Sequence, residues 1–180
     1  PRELFDAYNI SKDRIQKKKL QEGIFVILSI LEYGINDKYE KSLDYAEEYM
    51  KEKKENEKKD IDKSEQNFKN MKAIYETFNQ FISRLCKKVK YPFSKELYGI
   101  SSRNYKFQIS IAMILAGIFK EKLYKNNYLE KLLNDDAELE TFLKRVQVSL
   151  LNSFLENSEY NASSTNSRKI KELIESFNII

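Results

Sequence analysis

Apolar residues run almost unbroken from Tyr105 to Phe119 (YKFQISIAMILAGIF), with only Gln108 and Ser110 polar after Phe107. A helix that is apolar nearly all the way round belongs at the centre of a bundle or in a membrane. The run from Ile109 to Phe119 is far short of the ~20 residues that a bilayer crossing takes, and Lys106 and Lys120 flank it. The pattern therefore predicts a central helix over about 104–122, with no membrane partner.

The remaining stripes predict helices around it. Residues 2–9 read as a short helix or the end of a connection. Ser11 or Asn9 can cap a helix reaching Tyr33, whose Leu20, Ile24, Ile27, Leu28 and Leu31 recur at helical spacing. Tyr39, Leu43, Ala46 and Met50 mark a second helix. From Asp62, which with Glu65 resembles a capping box, Phe68, Met71, Tyr75, Phe78, Ile82 and Leu85 repeat at 3, 4, 3, 4, 3. That seam can serve self-association or internal packing; its bulky aromatics and short length favour an internal stripe. A short helical piece lies within 123–134, Asp135 or Asp136 caps a helix carrying Leu139 to Phe154, and a last helix carries Ile170, Leu173, Ile174 and Phe177.

Charge-rich residues 51–61 read as a solvated helix end or a flexible connection, and polar residues 156–167 as a flexible connection. Four glycines and two prolines in 180 residues leave little turn chemistry for a sheet. The expectation is one all-α domain over 1–180, an irregular bundle of six to seven helices. A chain of this length can bury roughly 70% of its unfolded surface, so it needs no disulfide or metal to fold. Because the sequence opens on Pro1 in mid-pattern, it is expected to be a piece of a longer protein.

The chain has no histidine. That excludes catalytic triads, Cys–His dyads and His-ligated metal sites. Glu47-Glu48 and Asp135-Asp136 are adjacent pairs, which point about 100° apart on a helix and do not converge on one atom. No partner base for Cys86 is apparent in the sequence, and there is no second cysteine to bridge; it suggests a reducing compartment, hence a cytoplasmic protein. No secretory signal is visible. Catalytic residues, metal ligands and cofactors are all expected to be none.

Charge supplies the candidate site. Between Arg84 and Lys106 seven cations face one acid, Glu96, an excess of +6 in a chain whose total is +4. Pro92, Gly99 and Ser101-Ser102 make this stretch a loop, and Tyr91, Tyr98 and Tyr105 interleave with its lysines. Basic residues among aromatics suit a nucleic-acid surface. Arg84, Lys87, Lys88, Lys90, Lys95 and Arg103 are the candidate phosphate contacts, with duplex DNA as the candidate partner. Lys12, Arg14, Lys17, Lys18 and Lys19, less Asp13, form a second cluster of +4.

Several segments in order resemble the modification-dependent restriction proteins of the GmrSD and SspE kind, whose first domain has a ParB-like fold with a DGQQR motif. The stretch RELFDAYNISKDRIQKKKLQEGIFVILSILEYGINDKYEKSLDYAEEYM resembles the passage from that core into the helical region. NFKNMKAIYETFNQFISR resembles one of the family's helices, and NASSTNSRKIKELIE its closing basic helix. The chain departs from the family in having no DGQQR stretch and none of the histidines that an HNH nuclease half requires. The resemblance implies the helical, non-catalytic part of a restriction or phage-defence protein, supporting the nuclease or NTPase core and contacting DNA, another domain or a partner subunit. The alternative is a stand-alone helical adaptor or inhibitor with no nucleic-acid role.

Overall fold

A computed structural model describes residues 7, 9–59, 61–124, 126–157 and 166–179. Among them there is no strand, and eight α-helices follow one another: α1 (Lys12–Gln16), α2 (Lys19–Tyr33), α3 (Ser42–Lys59), α4 (Ile61–Leu85), α5 (Ile109–Ile118), α6 (Tyr128–Asn134), α7 (Asp136–Leu151) and α8 (Ser167–Ser176). Two short 3-10 turns, Lys95–Tyr98 and Phe154–Glu156, punctuate the connections. The expected all-α bundle is what forms.

Helix α5 is the centre. Every residue from Ser110 to Ile118 is buried, so no face of this helix is left for water. It packs on α2 and α8 and continues without a break into a π-helical turn, Phe119–Leu123. The helix starts at Ile109 rather than 104 because the residues before it are held extended. Gln108 (φ −123°, ψ 119°) donates its backbone N–H to the Phe93 carbonyl at 2.8 Å. Beyond the apolar run, Lys120 and Lys122 donate to the carbonyls of Glu32 and Glu175, at 3.2 and 3.0 Å. Those carbonyls belong to the last turns of α2 and α8, which have no partner within their own helices.

One buried cluster takes residues from every helix except α1. Phe119 meets Phe78 edge-on at 5.2 Å, and Phe142 does the same with Phe81 and with Phe177, at 5.8 Å each. The rings thus join α4, the π turn, α7 and the segment after α8. Pairs of this geometry add about 0.5–1.5 kcal/mol each beyond their buried area. The 3, 4 seam of α4 is internal at Met71, Phe78, Ile82 and Leu85, all buried.

A further helix boundary is corrected, and the two readings of residues 51–59 are decided. The helix expected to run unbroken to Tyr33 is interrupted at Lys17-Lys18, where Lys18 takes a left-handed conformation (φ 56°). Nothing in α1 is buried, so no packing enforces a straight continuation. Residues 51–59, read as either a solvated helix end or a connection, are the second half of α3. Lys and Glu favour helix, and Lys53 ties this half to α2 by a 2.5 Å ion pair with Glu32. The Lys53 ammonium also lies over the rings of Tyr33 and Tyr49, at 5.7 and 5.1 Å. Burial, with Glu32 close by, pushes the hydroxyl pKa of both tyrosines up. Of the expected 156–167 connection, residues 158–165 lie outside the described residues.

The N-terminus of α8 is fixed by a buried polar knot. The Tyr45 hydroxyl donates to the Asn36 carbonyl at 2.9 Å, accepts from the Asn36 N–H at 3.2 Å and touches the Ser167 hydroxyl at 3.0 Å. Ser167 in turn donates to the Tyr39 carbonyl at 2.7 Å. The other end of α8 depends on Gly117, where a Cβ would overlap Ile174 Cδ1 and stand 3.2 Å from Cγ1. Gly117→Ala is therefore expected to destabilise the fold by about 1–3 kcal/mol through overpacking. Ile174→Val removes Cδ1, so in the double variant the two losses should be clearly less than additive by urea denaturation. Additive losses would mean that α8 does not close on Gly117.

Candidate nucleic-acid interface

The loop between α4 and α5 is built by its own short polar contacts. Ser94 donates to the Tyr91 carbonyl at 2.7 Å and accepts from the Glu96 N–H at 3.1 Å. Glu96, the one acid of the loop, accepts from the Tyr91 N–H at 2.7 Å. Gly99 closes the 3-10 turn with φ 75°, a left-handed conformation that costs glycine nothing. Phe93, Leu97 and Tyr98 turn into the core. Of the three interleaved tyrosines, Tyr91 and Tyr105 remain half-buried as a tilted pair with centroids 6.4 Å apart.

The six candidate cations separate into two groups. Arg84 has a side chain only 12% exposed, pairs with Asp136 at 2.5 Å and donates to the Leu132 carbonyl at 3.3 Å. It clamps α4 to α6 and to the start of α7. Lys88 pairs with Glu140 at 2.6 Å, and their hydrogen bond holds the lysine pKa up and the carboxyl pKa down. Lys95 pairs with Glu156 at 3.1 Å. Lys87, Lys90 and Arg103 are exposed, with Lys90 over the Tyr91 ring at 5.2 Å. The fold thus brings three acids from α7 and the turn after it to three of the six cations.

The second basic cluster enters here. Asn9 donates its side-chain amide to the Tyr105 carbonyl, and Arg14 donates to the Phe107 carbonyl at 3.2 Å. These bonds lay residues 9–14 along residues 105–107. Between them opens a cavity of about 550 Å³, whose charged lining is Arg14, Lys19, Lys95, Lys106 and one acid, Glu22. Glu22 is already engaged by Lys19 at 2.6 Å and by the Ser42 hydroxyl at 2.9 Å. Lys12 and Lys106 are exposed on the same two segments. Arg14 and Lys106, which the sequence showed only as members of the two basic runs, become functional candidates here. Both basic runs were visible in the sequence, but their meeting depends on how α2 and α5 pack.

The carboxylate pairs are accounted for by helix structure. Asp135 caps α7, accepting from the N–H groups of Ala137 and Glu138, and Asp136 holds Arg84. Glu48 pairs weakly with Lys51 at 3.6 Å. Among the described residues no group of three or more Cys, Asp or Glu side chains converges as a metal ion requires. No helix of the described residues is long and apolar enough to cross a membrane. Set beside protein-family models, curated proteins and solved structures, the chain matches none.

If Arg84 is a clamp, Arg84→Ala should cost about 1–3 kcal/mol by chemical denaturation, because it leaves a mostly enclosed carbonyl and a helix junction without their donor. Lys88→Ala should change stability little, since its ion pair is exposed and screened. An Arg84→Ala variant as stable as the parent would return Arg84 to the surface cations.

Proposed function

We propose that this chain is a non-catalytic helical module that contacts nucleic acid through the phosphate backbone, within a modification-dependent restriction or phage-defence protein. The observation that carries this reading is the meeting of two basic runs, distant in sequence, around one cavity. Phosphate contacts need cations at a surface and no base-specific geometry, and they supply affinity and register without sequence choice. Arg14, Lys106, Lys12, Lys90 and Arg103 are the residues this reading places against phosphates. Lys95 can join them only by sharing its charge with Glu156. The Tyr91–Tyr105 pair lies at the same edge and offers rings on which an unpaired base can stack. The resemblance in sequence supplies the setting, a helical part that supports a nuclease or NTPase core supplied by the rest of the protein.

One observation favours the alternative, a stand-alone adaptor or inhibitor. Arg84, Lys88 and Lys95 already hold carboxylates, so half of the six candidate cations are engaged within the chain itself.

Duplex titrations at several salt concentrations separate the two. Five phosphate contacts should give a log–log salt slope of about −4.5. Lys12→Glu with Lys106→Glu should weaken binding by a similar factor for every sequence and flatten that slope, while Lys88→Ala should leave affinity unchanged. Absence of duplex binding at low salt, in a protein as helical as the parent, would favour the adaptor. The chain alone is also expected neither to hydrolyse nucleotides nor to cut DNA, with or without divalent metal. Turnover abolished by changing Asp135 and Asp136 would contradict the non-catalytic reading.

A further inference from the structure

Helix α4 leaves the core before it ends. Its seam is buried at Met71, Phe78, Ile82 and Leu85, yet Phe68, three residues before Met71 on the same seam, is 70% exposed. That ring stands at the edge of a groove of about 680 Å³ floored by Phe25, Leu28, Tyr49 and Met71. An aromatic ring this open beside an apolar groove is an unusual surface for a monomer.

The charges around Phe68 say what covers it. Asp62 and Glu65 precede the ring, and Lys69 and Lys72 follow it. At 100° per residue these five side chains share one face about 120° wide. Glu65 and Lys69 stand equally far on either side of Asn67, and so do Asp62 and Lys72. A second α4 laid antiparallel across the first, crossing at the level of Asn67, sets each acid opposite a cation of its partner, Lys72 sharing its charge with Glu76 of its own helix at 3.9 Å. The same two-fold relation directs each Phe68 toward the groove of the other copy. On the opposite wall Lys53 and Glu57 continue the mixed charge, with no excess that would select a strongly acidic or basic partner.

We propose that a second copy of this chain covers this face, through an isologous antiparallel pairing of α4 centred at the level of Asn67. The face is short, one ring and two charge pairs per copy, and belongs with the small, transient class of interfaces. The dimer accordingly forms with a dissociation constant on the order of 10–100 μM.

Sedimentation equilibrium of the full chain is the test. The mass should rise from 21.4 kDa toward twice that value as concentration increases to about 1 mM. Phe68→Ser should stay at the monomer mass with an unchanged helical spectrum, since the ring is already mostly in water. Glu65→Lys, and separately Lys69→Glu, turns two cross-copy pairs into like-charge contacts and should weaken the dimer about tenfold or more. The double exchange restores both pairs and should recover dimerisation, which a general change of surface charge would not do. A parent chain that stays monomeric at the highest concentration overturns the proposal, as does a dimer indifferent to Phe68→Ser. A double variant as weak as the single ones overturns the antiparallel register.

Discussion

A helix without a polar face has to be covered on every side, and that requirement on α5 organises the rest of this fold. Each covering element carries one device that lets it close. Gly117 admits Ile174 and so admits α8. Phe119 extends the apolar surface past the helix end and reaches Phe78 and Phe81 of α4. Where the apolar run stops, Lys120 and Lys122 turn back to carbonyls in the last turns of α2 and α8. The lysines that keep α5 from resembling a membrane span therefore also satisfy the helices packed against it. Burial supplies the driving force, roughly 1.5–3 kcal/mol for each large apolar side chain. The polar contacts decide which arrangement of the covering helices is adopted.

The same packing redistributes charge. The loop between α4 and α5 has one acid of its own, but the fold delivers Asp136, Glu140 and Glu156 to it from farther along the chain. Arg84 is enclosed and acts as a clamp, whereas the Lys88 and Lys95 pairs remain partly in water and yield to salt. Against that loss, the contact of residues 9–14 with residues 105–107 adds Arg14 and its neighbours to the loop's free lysines. A basic surface survives, but it lies nearer α1 than the lysines following α4.

Local signals in the sequence read well wherever packing agreed with them. The 3, 4 seam of α4, the acidic cap of α7 and the apolar run of α5 each correspond to an observed element. The break at Lys17-Lys18 was not legible, because both residues are good helix formers and nothing in their identity demands a left-handed conformation. Residues 51–59 stayed ambiguous for a related reason: a polar run reads equally as helix end or connection until Glu32, on another helix, gives Lys53 a partner. The candidate site was legible as two basic runs and no further. Which cations remain free depends on carboxylates more than 40 residues away, and periodicity carries no information about them. The seam likewise gave no sign that Phe68 would stand outside the core while Met71 lies within it.

If α5 is the element on which the others depend, its amides cannot open without the whole fold opening. Native-state hydrogen exchange measures this directly. The N–H groups of Met113 to Ile118 should exchange only through global unfolding, with protection free energies equal to the stability found by denaturation, while those of α1 and the second half of α3 open locally at much lower cost. Amides of α5 that exchange faster than those of α4 or α7 would contradict the account, because α5 would then be a late addition to a core formed without it.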